Sequence, residues 1–330
     1  MAVVSIDVSK AKLAAALEGK SAKHPYEREV DNDAKGIMRL LEWAQQRARC
    51  EASSLTVVME ATGVYHELAA QLLHDAGCRV VIANPQRVRH YATGVGSLNK
   101  TDRVDARVLL RYGQQQGDAL MRWEPPAPEV RALRALYARL EAVKEDLQRE
   151  ENRRQQAEIS QQPEVVLSSL ERSVKQLREE LKRLERAIED HFDNHPDLKK
   201  QRELLQSIGG VGTVVGDHLL SFMLRHRFRS ARQAAAFCGL TPIAQQSGTM
   251  NKPARMSKHG DARIRAKLYM AAMSALEHNS ALRAIYDRLR RSGKSGKTAL
   301  VALMRHLVHI AFGILKHQTP FNPALVTKIA

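Results

Sequence analysis

Ala2-Val3-Val4-Ser5-Ile6-Asp7 is the stretch on which the fold turns. It is a short, β-branched apolar run that ends in a carboxylate. Leu55-Thr56-Val57-Val58-Met59 repeats the design and ends in Glu60; Arg79-Val80-Val81-Ile82-Ala83 is a third run, closed by Asn84-Pro85. Runs of this length and composition read as buried strands. Helical stretches, including Gly36 to Arg49 and Tyr65 to Ala76, lie between them. The first ~125 residues therefore read as α/β. In open α/β sheets the reactive crevice lies at strand ends, so Asp7 and Glu60 are expected there together.

A second acidic pair follows in Thr101-Asp102-Arg103-Val104-Asp105-Ala106-Arg107. On a helix, side chains at i and i+3 are neighbours, so Asp102 and Asp105 share a face. Two carboxylates that close repel unless a cation sits between them. By itself the segment reads equally as a solvated helix with acids and arginines alternating. Set beside Asp7 and Glu60, it reads as half of a metal site.

The formal net charge is +16. Residues 197–330 hold 22 Lys and Arg against 6 Asp and Glu, so they carry the whole of that charge; residues 1–196 hold 30 of each. Such asymmetry points to a polyanion partner, above all nucleic acid. No run of about 18 apolar residues occurs, so no membrane span is expected. The N-terminus lacks a secretory n-region. Cys50, Cys78 and Cys238 are odd in number and widely spaced, which fits a reducing cytoplasm.

Three domains are expected: 1–126, α/β; 127–195, a coiled-coil segment; and 196–330, basic and mainly helical. In the middle segment Leu133, Leu136, Leu140, Val143 and Leu147 follow 3,4 spacing, and Leu167, Leu170, Val174, Leu177, Leu181, Leu184 and Ile188 repeat it. Charged and amide residues fill the intervening positions, as in a coiled coil. Pro163 should break the helix. Two antiparallel helices within one chain satisfy the pattern, and so does pairing between protomers; oligomerisation is the favoured expectation.

The basic segment opens with Leu204-Leu205-Gln206-Ser207-Ile208-Gly209-Gly210-Val211-Gly212, which resembles a helix-hairpin-helix turn, a motif that meets DNA phosphate through backbone N–H groups. A tight hairpin with no ligand is the equal alternative. Arg225, Arg227, Arg229, Lys252, Arg255, Lys258, Arg263, Arg265 and Lys267 are candidate phosphate contacts. A polar loop is expected over Gln245 to Asn251. Gly293-Lys294-Ser295-Gly296-Lys297-Thr298 imitates a P-loop, but Arg291 stands where its first glycine belongs and no strand precedes it. It reads as a flexible basic loop. The thirteen histidines show no metal-ligand spacing.

Several segments in order, Ile6-Asp7-Val8-Ser9-Lys10, Met59-Glu60-Ala61-Thr62-Gly63, Asn84-Pro85 and Asn99-Lys100-Thr101-Asp102-Arg103-Val104-Asp105-Ala106-Arg107, resemble the transposases of the insertion-sequence 110 family. Gly239-Leu240-Thr241-Pro242, Ser247-Gly248 and Met256-Ser257-Lys258-His259-Gly260 extend the resemblance over nearly the whole chain. It implies a RuvC-like (RNase H-like) N-terminal domain and a C-terminal transposase domain. It implies recombination of donor and target DNA guided by a structured, element-encoded bridge RNA. By the same resemblance Asp7, Glu60, Asp102 and Asp105 are an acidic tetrad holding one or two Mg²⁺ ions. Ser247 falls at the nucleophilic serine, which forms a phosphoserine link to DNA; Thr249 is a hydroxyl close by. A dimer or tetramer is implied, because the two sites meet across protomers. Two rival readings are a RuvC-like nuclease or Holliday-junction resolvase using metal-activated water, and a non-enzymatic nucleic-acid-binding scaffold.

Overall fold

The structure is a computed structural model. It describes the chain except at residues 1, 19–24, 62, 97–101, 227, 248–249 and 328–330, and at 102–103, 226, 244–247, 250–254 and 326–327 it describes the backbone alone. The chain divides into two compact units, Met1–Pro125 and Pro126–Ala330.

The first unit is a five-stranded sheet with helices on both faces. Its elements are β1 (Ala2–Val8), β2 (Lys12–Leu17), β3 (Tyr26–Asp31), α1 (Ala34–Ala48), β4 (Leu55–Glu60), α2 (Glu67–Asp75), β5 (Arg79–Ala83), α3 (Pro85–Gly94) and α4 (Asp102–Gln116). The strand order is β3-β2-β1-β4-β5. β1 to β3 form an antiparallel meander, while β1, β4 and β5 are parallel. All three expected strands are present. β2 and β3 are additional, and β2 shows why. Lys12-Leu13-Ala14-Ala15-Ala16-Leu17 is alanine-rich, a composition that favours helix. Its place between β1 and β3 makes it a strand buried at every position after Lys12.

Alternation along the strands divides the core in two. Val4, Ile6, Val57 and Met59 pack with Ile37, Leu40 and Trp43 of α1. Val58 packs on the other face with Val108, Leu109 and Tyr112 of α4. Val3 meets Ala106 and Leu110 there.

The second unit is helical apart from one hairpin. α5 (Pro128–Ile159) and α6 (Glu164–Asp193) are joined by a turn of four residues. The break falls where Pro163 was expected to put it. The two helices pair antiparallel within the chain: Arg178 bonds Glu151 at 2.7 Å near the tip, and His191 Nε2 lies 2.9 Å from the Glu129 carbonyl near the base. Of the two arrangements that the 3,4 spacing allowed, this is the intramolecular one. Leu133, Tyr137, Leu140 and Val143 of α5 and Leu184, Ile188 and Phe192 of α6 then join one core with the helices that follow.

Those helices are α7 (Pro196–Gln206), α8 (Thr213–His226), α9 (Ala231–Phe237), α10 (Ala262–His278), α11 (Ser280–Arg291), α12 (Gly296–His317) and α13 (Pro323–Thr327); β6 (Pro242–Ser247) and β7 (Met250–Met256) form the hairpin. The Ile208-Gly-Gly-Val-Gly turn does join two helices. A side chain at Gly209 would meet the His278 carbonyl at 2.4 Å, and one at Gly210 would meet Ala275 at 2.5 Å. Packing against α10 therefore accounts for both glycines. α12 is long and apolar enough to cross a membrane by length and composition alone, although Arg305, His306 and His309 interrupt its apolar run. Its Leu300, Leu303, Met304, Leu307, Val308 and Ala311 line the core of this unit.

Candidate active site

Register and alternation place two of the sequence-predicted acids, Asp7 and Glu60, side by side at one end of the sheet. Ile6 and Met59 are direct partners on the parallel strands β1 and β4. The next residues, Asp7 and Glu60, are therefore level with each other and turned to the opposite face, the one covered by α4. Both are half-buried, as is Asp105 on α4.

Two features hold α4 against the sheet. Ser5, fully buried and two residues before Asp7, donates its hydroxyl to the Ala106 carbonyl at 2.6 Å, beside Asp105. Gly113, two turns on, lets the helix settle: a Cβ there would lie 2.9 Å from Val58 Cγ2 and 3.1 Å from Val3 Cγ1. Neither residue carried a signal in the sequence, because each matters only through a contact about a hundred or fifty positions away. Asp102 opens α4, and its side chain lies outside the described residues. Arg107 is ion-paired with Glu27 of β3.

Among the described residues, no three His, Cys, Asp or Glu side chains stand close enough together to hold a metal ion. Asp7, Glu60 and Asp105 offer carboxylate oxygens, which as hard ligands suit Mg²⁺ or Mn²⁺ better than softer metals.

In the second unit, Ser247 is the last residue of β6, paired with Met250 at the start of β7. The expected polar loop is thus the distal end of a β-hairpin. Its mixed polar composition, with Pro253 inside β7, gave no alternation to read. The base of the hairpin is clamped. Lys258 N donates to the Gly239 carbonyl at 3.1 Å, and Ser257 N to Thr241 at 2.9 Å. Arg265 Nη1 donates to the carbonyls of Cys238 and Gly260 at 3.2 and 2.8 Å. A Cβ at Gly260 would lie 2.1 Å from the Phe237 carbonyl oxygen, so only glycine fits.

The nine cations named from sequence separate accordingly. Arg225, Arg229, Arg255, Lys258 and Arg263 are exposed. Arg265 holds the hairpin base, and half-buried Lys267 pairs with Glu141 of α5 at 3.2 Å. Lys252 is described by its backbone, opposite Gln245, and Arg227 lies outside the described residues.

A buried polar network was not anticipated. Arg202 of α7 forks onto Asp217 of α8 at 2.7 and 2.9 Å and onto Glu189 of α6 at 2.7 Å. Tyr137 of α5 donates to Asp217 at 2.5 Å, and the Arg202 guanidinium lies over the Phe192 ring at 4.3 Å. Burial pushes the Asp217 carboxyl up despite these donors, and burial followed by the Asp217 charge pushes the Tyr137 hydroxyl up. The three cysteines are free; burial raises Cys78 to about 11 and Cys238 to about 12, so neither is an activated thiolate.

Two of the three parallel strands, β1 and β4, thus carry a carboxylate toward their C-terminal ends, and a basic helical unit follows in the chain. Residues 4–157 match a transposase family model of the DEDD, IS110 type, and residues 202–287 match the transposase IS116/IS110/IS902 family. Together they define a DNA transposase, an enzyme that cleaves and rejoins DNA. The chain belongs to the IS110 family of insertion-sequence transposases. It is 29% identical over 294 residues to the pilin gene-inverting proteins of Moraxella bovis and Moraxella lacunata, covering 88% of this chain and 89% of each of theirs. It is 27% identical over 168 residues to the 42 kDa protein of insertion element IS900 from Mycobacterium paratuberculosis, covering 50% of this chain and 41% of that one.

Proposed function

We propose that this transposase exchanges DNA strands with two sets of groups: a carboxylate site formed by Asp7, Glu60, Asp102 and Asp105, and Ser247 as the nucleophile. The observation that carries the acidic site is the level placement of Asp7 and Glu60 on the face covered by α4, where Asp105 lies. A divalent ion bound there would neutralise phosphate charge and polarise the scissile phosphorus, as metals do in phosphoryl transfer. Asp7, Glu60, Asp102 and Asp105 would be the residues to hold that ion, and the half-buried setting of Asp7, Glu60 and Asp105 would limit competing water. The Ser247 hydroxyl attacks phosphorus; a Ser–O–P bond forms, one phosphodiester P–O bond breaks, and the departing DNA hydroxyl carries away a proton. The bond energy is kept in the phosphoserine link, so rejoining needs no nucleotide triphosphate.

Resemblance to the family supports a structured guide RNA that pairs with donor and target DNA, and the +16 charge borne by residues 197–330 is its chemical counterpart. The same resemblance supports a homo-oligomer in which the acidic site of one protomer works with Ser247 of another. Ile159 and Val165, 76% and 70% exposed near the tip of the α5–α6 hairpin, offer apolar surface to such assembly.

The test uses the complete element on a plasmid. Ser247→Ala is expected to abolish both recombination and covalent protein–DNA adduct. Asp105→Ala is expected to lower recombination by about 10²–10³-fold, the range set by loss of a charge-stabilising group in a catalytic site. An adduct formed by Ser247→Ala excludes Ser247 as nucleophile. Continued strand cutting by that variant without an adduct favours the hydrolytic, resolvase-like reaction. Full recombination by Asp105→Ala removes the acidic site.

A further inference from the structure

From the turn between α11 and α12, we propose a second DNA-phosphate surface, formed by Arg290, Arg291, Lys294 and Lys297 and separate from the hairpin that carries Ser247. All four side chains are exposed. Among the described residues none has a carboxylate within ion-pair distance, and residues 288–297 contain no acid at all. Asp287, just before the turn, lies 4.0 Å from Arg283.

Part of the segment read from its Gly-Lys-Ser-Gly-Lys composition as a flexible basic loop is hydrogen-bonded turn, and Gly296 to Thr298 begin α12. Ser292 N, Gly293 N and Lys294 N donate to the carbonyls of Arg288, Arg290 and Leu289 at 3.0 to 3.1 Å. Arg290 Nη1 spans the turn to the Lys294 carbonyl at 2.9 Å. Ser295 caps α12 by accepting from Thr298 N at 3.3 Å, with the two hydroxyls 2.9 Å apart. α11 is anchored from beneath by Ala281, Leu282 and Ile285. The cations are thereby held on fixed backbone and repel one another, a cost that phosphate offsets and water offsets less well. A backbone fixed beforehand also lowers the entropy lost on binding.

The cap also explains why nucleotide triphosphate is the wrong ligand. The first turn of α12 already has a side-chain acceptor, and no glycine-rich loop encloses it. What remains is a set of exposed cations spread over eight residues, suited to the spaced phosphates of a strand and not to one compact polyphosphate. DNA is the partner we assign, because a transposase must hold duplex outside the pair of strands being cut. This rests on the DNA-handling activity of the family and not on Ser247 or the acidic site.

The experiment is a salt series, from 50 to 200 mM, of the full chain binding a fluorescent 30-base-pair duplex. The triple variant Arg291→Gln/Lys294→Gln/Lys297→Gln keeps helix-compatible side chains. Each phosphate contact contributes about 0.9 to the slope of log K against log salt, so three lost contacts should lower the slope by about 2.7. Affinity near 100 mM salt should fall at least tenfold. The control, Arg172→Gln/Lys175→Gln/Arg186→Gln, removes three exposed cations from α6; its slope should change by less than half as much. Equal loss in both triples would mean a general charge effect and would overturn the proposal. So would a native slope in the turn variant, or a loss confined to a structured RNA hairpin used as second probe. Failure of the unaltered chain to bind duplex would instead remove the DNA-handling premise. A melting temperature matching the native protein confirms that the variant is folded.

Discussion

Arg202 illustrates what a single buried charge does in this chain. It is 8% exposed and holds Asp217, which is 2% exposed. Removing one partner of a buried pair strands the other in a low-dielectric site. Arg202→Met should therefore cost about 3–5 kcal/mol, read from urea unfolding. Replacing the network together, Arg202→Met/Asp217→Leu/Tyr137→Phe, should recover more than half of that loss, because neither a buried charge nor an unpaired buried hydroxyl is left. A cost below about 1 kcal/mol for the single variant would show that the network does not tie α5 to α8. Nothing in the local sequence marks these residues. Arg202 stands in Lys-Lys-Gln-Arg-Glu, where every neighbour suggests a solvated helix. Lys267 and Arg265 teach the same lesson from the other side: both sit in a basic run, yet one pairs with Glu141 and the other holds carbonyls.

At the scale of elements, the acidic site depends on how closely α4 approaches the sheet. The sequence announces α4 and both strands, since apolar period and terminal carboxylates are local patterns. The distance between them is set by Gly113 and by the Ser5 hydroxyl. Gly113→Ala would drive a methyl against Val58 and Val3, costing about 1–3 kcal/mol as overpacking does. The expected result is a drop in recombination larger than the loss in stability explains, because Asp105 moves with the helix. Ser5→Ala should act the same way more mildly, losing about 1 kcal/mol and the tie to Ala106. A Gly113→Ala protein with native melting and native recombination would show that α4 tolerates displacement.

At the scale of the whole molecule, three histidines make the second unit sensitive to acid. His218, His306 and His309 all have lowered pKa values, with burial the largest cause in each. Lys267 adds to it at His218, Arg288 at His306, and Arg305 at both His306 and His309. A histidine whose folded pKa lies below the ordinary value of about 6.5 binds its proton more readily unfolded, so stability is full above that value and falls as pH drops below it. Melting temperature should decline from pH 7.5 to 5.5, each kcal/mol lost lowering it by about 2–4 °C. His306→Gln/His309→Gln should flatten the decline. The lowered carboxyls of Glu141 and Glu189 respond only below their ordinary range, and raised Asp217 works in the opposite sense. A melting temperature independent of pH in this window would show that the histidines are not held neutral by burial.

Sequence alone determined that this chain has an α/β half ending its strands in acids, a two-helix middle, and a basic helical remainder. Each of those follows from composition and period over a window of a few turns, where local physics suffices. The tertiary structure decided everything that depends on which distant residues meet. It made alanine-rich β2 a strand by enclosing it, paired α5 with α6 inside one chain, and turned Asp7 and Glu60 to the face of α4. It also gave Lys267 a carboxylate and, among the described residues, left Arg290, Arg291, Lys294 and Lys297 without one. Burial and charge pairing are set by long-range packing, and a linear pattern carries no record of that packing.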